Sequence, residues 1–124
     1  MTQKDAMRIP DYLEHILEAL KRIFDYVEDI DEVVFLNNAL VQDAVLRNLE
    51  IIGEASNRLL RYHNNFIEKY PDVPWEDMYW MRNRISHGYF SIDFEIIWKT
   101  IEQDLPLLWD QIQAIYKKLD SLAS

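Results

Sequence analysis

Residues Met81 to Phe90, MRNRISHGYF, gather side chains that can do phosphoryl chemistry. His87 can carry a proton near neutral pH, because an imidazole has an unperturbed pKa of about 6.5. Arg82 can grip a phosphate through two parallel hydrogen bonds and offset charge on its oxygens. With Asn83 beside the arginine and Gly88-Tyr89 following the histidine, this is the inventory that metal-free cleavage of an RNA phosphodiester requires. In an ideal helix Asn83 and His87 share a face at i and i+4, and Arg82 lies roughly 140° around from His87. An arginine and a histidine five apart are common, however, and spacing alone leaves a structural role open. The composite string is the more specific feature.

Length and composition bound what can position these residues. A chain of 124 residues suits one domain, 1–124, with a real hydrophobic core. Two glycines and four prolines are too few for a sheet protein rich in tight turns. The absence of cysteine excludes disulfides, thiolate catalysis and zinc–thiolate sites, and fits a reducing cytoplasm. No apolar run reaches the roughly 18 residues of a membrane span, and the start MTQKDAMRIP lacks a signal-peptide core, so a cytoplasmic location is expected. His15, His63 and His87 have no metal-ligand spacing, and no metal or other cofactor is expected.

The net charge of −9 argues against broad, nonspecific nucleic-acid binding. The acid is concentrated at the ends: residues 1–32 hold nine acids against four bases, and residues 91–124 six against three. Residues 41–70 balance at four of each, so the middle of the chain can still present a local basic pocket. RNA remains possible as a substrate, bound with modest affinity or at a site assembled from more than one subunit.

Apolar steps of three and four from Ile9 to Val27 predict a first amphipathic helix over 9–29, with Pro10 in its first turn. His15 and the run Glu28, Asp29, Asp31, Glu32 read as solvated. Asn37 or Asn38 can cap a long second helix to about residue 62. Gly53 interrupts it at a cost of roughly 1 kcal/mol relative to Ala, which marks Gly53-Glu54-Ala55 as a helix crossing. Glu54 is either a surface carboxylate or a brace for an arginine of the 82–87 string. Arg58, Arg61 and His63 form either a phosphate-contacting patch or, more simply, a solvated basic end that complements the helix dipole. After Tyr70-Pro71-Asp72-Val73-Pro74, Pro74 opens a helix carrying Trp75 to His87, which Gly88 is expected to end in the left-handed conformation. A final long helix over 93–122 should kink or split near Asp104 because of Pro106. The expected fold is all-α, an antiparallel bundle of four to five helices.

Read together, several strings carry a resemblance. Arg82-Asn83-x-x-x-His87-Gly88-Tyr89 resembles the R-x4-H-x-Y signature of the HepT-like branch of the HEPN superfamily. IIGEA at 51–55, YPDVPW at 70–75 and the Leu105-Pro106 step look like the same family, so the likeness spans nearly the whole chain. It implies a bundle that dimerises with the two motifs facing each other, and a metal-independent ribonuclease toxin. It also implies a partner, an MntA-like nucleotidyltransferase antitoxin that transfers AMP to the motif tyrosine. Residue by residue, Arg82 and His87 become the catalytic pair, Asn83 the supporting polar residue and Tyr89 the modification site. Arg84 and Glu54 are candidates for RNA contact or support.

The competing reading is a non-catalytic helical subunit that binds the nucleotidyltransferase. The aromatic series Trp75, Tyr79, Trp80, Tyr89, Phe90, Phe94 and Trp98 either stacks RNA bases or, more simply, packs in the core and between subunits.

Overall fold

A computed structural model of the chain describes residues 7–88 and 91–123, which fold into an all-α bundle. Its elements are α1 (Ile9–Val27), α2 (Glu32–Leu36), α3 (Ala39–Tyr62), α4 (Asn64–Glu68), α5 (Trp75–His87), α6 (Phe94–Lys99) and α7 (Leu105–Ala123). A π-helical turn, Thr100–Asp104, joins the last two into one rod. Four principal rods therefore form the bundle: α1, α3, α5 and α6 to α7. No helix of the described residues is long and apolar enough to cross a membrane.

Side-chain pairs establish the antiparallel arrangement. Tyr12 and His63 meet edge to face at 6.0 Å, so the start of α1 lies against the end of α3. Tyr116 Oη donates to Glu14 Oε2 at 3.1 Å, while Phe24 meets Trp109 at 6.2 Å. Position therefore rises along α1 as it falls along α7. The core stripe of α1 contains Leu13, Ile16, Leu20 and Ile23, all fully buried, each contributing about 1.5–3 kcal/mol by leaving water.

The long second helix begins as expected, with Asn38 Oδ1 accepting from the Val41 N–H at 3.1 Å. The acidic run after α1 is solvated as expected, with Glu28, Asp29 and Asp31 exposed, and it also starts a helix. Asp31 Oδ1 caps α2 by accepting from the Val34 N–H at 3.0 Å, which lets Phe35 plug the core beside Trp98 and Phe94. Helix α4 likewise buries Phe66 and Ile67. Neither five-residue helix is long enough for periodicity to register in sequence.

Pro106 acts at the expected place by a specific means. It has no N–H for the carbonyl four residues back, and the preceding turn widens so that the Leu105 N–H donates to the Thr100 carbonyl.

The α3–α5 pair positions the 82–87 string, and its register is readable in three contacts. Ser56 Oγ, fully buried, donates to the Trp75 carbonyl. Gly53 lies under Met78 and Arg82, where an added Cβ would come within 2.7 Å of the Met78 carbonyl oxygen and collide with Arg82 Cβ. Ser86 Oγ donates to Glu50 Oε2 at 3.1 Å. Gly53 is thus a close-approach residue, and the helix crossing read from Gly53-Glu54-Ala55 is present.

Substituting Gly53→Ala should destabilise the fold even though alanine is the better helix former by roughly 1 kcal/mol. Overpacking against backbone should outweigh that gain and leave a net loss of about 1–3 kcal/mol in urea unfolding. An unchanged or raised midpoint would show that the two helices are not held this close.

Candidate active site

On α5 the buried positions are Trp75, Met78 and Ile85, and the stem of Arg82 occupies the remaining place in that stripe, over Gly53. The arginine cannot continue inward, so its guanidinium leaves sideways between α3 and the next residue of its own helix. There Nη1 donates to Asn83 Oδ1 at 2.9 Å, and Nη2 meets Glu54 Oε2 at 3.4 Å. The Arg82 side chain remains 33% exposed.

Glu54 is shared. Its Oε1 accepts from Arg58 Nε at 3.1 Å, a bond that raises the Arg58 guanidinium above its ordinary pKa. Its Oε2 is buried and lacks a hydrogen bond of good geometry, so attraction to Arg82 is what offsets its loss of water. Glu54 thus lies against two arginines, one of them in the 82–87 string.

Two clefts flank this helix. The first, about 440 Å³, is lined by Trp80, Asn83, Arg84, His87, Ser91 and Ile96 among others. The second, about 500 Å³, is lined by His15, Arg47, Glu50, Glu54, Arg58 and Arg82 among others. Within one copy, His87 opens onto the first and Arg82 onto the second, as their 140° separation on a helix requires. Asn83 joins them, because it is bonded to Arg82 while lining the cleft of His87. Its bond is made to the arginine side of the pair.

His87 and Arg84 are exposed in the last turn of α5. Gly88 ends the helix with φ −130° and ψ 39°, which corrects the expected left-handed cap. Its N–H donates to the Arg84 carbonyl at 2.8 Å, and an added Cβ would sit 2.9 Å from Ser91 Oγ. Space, then, is what a side chain at position 88 would lack. Tyr89 lies outside the described residues. Of the aromatic series, Trp75 and Trp98 are buried, Phe94 packs on Phe35, and Trp80 is 59% exposed at the rim of the first cleft.

Of the basic end read from Arg58, Arg61 and His63, Arg61 stands exposed in the last turn of α3, while the other two turn to partners. Arg58 turns back to Glu54, and His63 Nε2 bonds the Met7 carbonyl at 2.9 Å, pinning the segment before α1. Arg47 was not singled out in sequence; its only signal is helical phase, since positions 47, 54 and 58 share one face of α3. Among the described residues no three histidine or carboxylate side chains gather as a cation site.

Comparison with known proteins bears on this geometry. A family profile described as "Ribonuclease HepT-like" matches residues 16–115. A protein of Methanocaldococcus jannaschii named as a candidate RNase is 40% identical over 116 residues, covering 93% of this chain and all of that protein. A Thermococcus cleftensis protein named "Probable ribonuclease HepT" is 39% identical over 107 residues, covering 86% of this chain and 94% of its own. No solved structure gives a significant match.

If Glu54 restrains both guanidiniums, nitrogen NMR of the arginine side chains should show hindered rotation for Arg58 and Arg82. Glu54→Gln should release both while leaving Arg22 unchanged. Persistence of the restraint on Arg82 in that variant would assign its orientation to Asn83 alone.

Proposed function

The chain belongs to the HepT-like ribonuclease family, and on that premise we propose that it cuts RNA without a metal ion at the Arg82–His87 string. The groove is completed by a second copy. The observation that carries this reading is Asn83, which accepts a hydrogen bond from Arg82 at 2.9 Å and lines the same cleft as His87.

The ribose 2′-OH attacks the adjacent phosphorus. A base takes the hydroxyl proton as the O2′–P bond forms, and an acid supplies a proton to O5′ as the P–O5′ bond breaks. The products are a 2′,3′-cyclic phosphate and a 5′-OH. The reaction therefore needs both an acid and a base, whereas each copy offers one histidine in the string. A two-fold dimer supplies the second. Arg82 stabilises charge on the phosphorane oxygens, Asn83 fixes the arginine fork, and Arg84 contacts the RNA backbone. The two-copy arrangement also accounts for a single subunit in which Arg82 and His87 face separate clefts.

We further propose that the enzyme is a toxin whose antitoxin is an MntA-like nucleotidyltransferase. AMP placed on Tyr89, two residues from His87, would add bulk and negative charge where the substrate phosphate must sit.

With divalent cations chelated, the chain should convert RNA to fragments ending in 2′,3′-cyclic phosphate and 5′-OH. His87→Ala should slow this by about a hundred- to ten-thousand-fold and relieve any growth arrest on expression. Equal cleavage, or equal arrest, by wild type and His87→Ala would end the catalytic assignment and favour the partner-binding alternative.

Tyr89→Phe should still cleave RNA but accept no AMP from the partner enzyme. Labelling of that variant at the wild-type level would place the modification elsewhere.

A further inference from the structure

We propose that the second cleft is a phosphate subsite, holding through Arg47 an RNA backbone phosphate that flanks the one engaged by Arg82. The inference rests on the ribonuclease reading above and extends it to the path of the strand.

The two clefts touch at the Arg82–Asn83 hydrogen bond, since Asn83 lines one and Arg82 the other. A strand whose scissile phosphate sits at that bond must leave on both sides of α5. On the α3 side it enters the cleft of about 500 Å³ that contains Arg47, Arg58 and His15.

Charge favours the same path. The chain carries −9 overall and has seven arginines, yet three of them line this one cleft. Two acids face them: Glu54 pairs with Arg58 and Arg82, and Glu50, which accepts from the Ser86 hydroxyl, keeps its charge, so the lining remains net positive. Arg47 is exposed and enters none of the ion pairs among the described residues. It stands seven residues from Glu54, about 10.5 Å along the helix axis, within reach of a neighbouring phosphate for so long a side chain. An exposed guanidinium in a lining of three arginines and two carboxylates attracts a polyanion without a buried charge to desolvate.

The test measures binding of the full-length His87→Ala chain, which leaves RNA intact, to a single-stranded RNA long enough to fill both clefts. Adding Arg47→Ala should weaken that binding about fivefold at low salt and lower the slope of log affinity against log salt by about 0.7, one phosphate contact. Arg47→Lys should recover the slope. The loss should shrink towards none for a dinucleotide, which is too short to reach the subsite. Arg22→Ala on α1 removes the same charge elsewhere and should change neither quantity. Equal losses in the Arg22 and Arg47 variants, no loss in the latter, or a loss independent of RNA length would overturn the subsite. Cleavage of RNA by the unsubstituted chain is scored separately: its absence would sink the ribonuclease reading, whereas normal cleavage with unaltered Arg47→Ala binding would sink the subsite alone.

Discussion

Residue 53 has no side chain, and the candidate site follows from that vacancy. Met78 and Arg82 can settle onto the backbone of α3 only because nothing projects from it there. The stem of Arg82 thereby takes a place in the buried stripe of α5, and its planar head is forced out at the edge. A guanidinium anchored by its own aliphatic stem loses little further freedom when it meets a ligand. Packing and charge placement are therefore joined in one side chain: the atoms that seal the crossing also aim the charge.

What surrounds that head is held without being saturated. One nitrogen is committed to Asn83, another leans on a carboxylate at a distance and angle short of a good hydrogen bond, and the side chain keeps a third of its surface open. Glu54 divides its two oxygens between two arginines from different helices, so it prevents mutual repulsion without quenching either. Such an arrangement suits recognition of an anion that arrives and leaves. The cationic group is preoriented, and its neutralising partner need not be displaced completely.

Much of this was legible before any coordinates. Apolar spacing gave the limits of α1 and α3 to within a few residues, the Asn37-Asn38 pair announced the cap that Asn38 provides, and Gly53-Glu54-Ala55 marked the crossing that proved decisive. The short helices α2 and α4 were not legible, because one buried aromatic such as Phe35 leaves no periodic trace. Gly88 misled for an instructive reason. A glycine after a helix usually signals a left-handed residue, but here crowding by Ser91 and the Arg84 carbonyl accounts for it equally well. Arg47 was invisible as well, since a lone cation on a helix face has meaning only once the opposing elements are known. The histidine and arginine of the string were recognisable by type, while their opening onto different clefts followed from helix geometry and became evident in the folded chain.

The π-helical turn at Thr100–Asp104 carries an implication for how this family's chains can vary in length. A π turn accommodates one residue more than the α-helical path beside it. Removing a single residue there would restore a regular helix and lose the slack next to Pro106. Because the widened turn takes up that residue locally, Leu105, Leu108 and Ile112 would still face the core they now fill. The extra residue lets one rod pass through Pro106 while keeping its apolar face on α2 at one end and on α1 at the other.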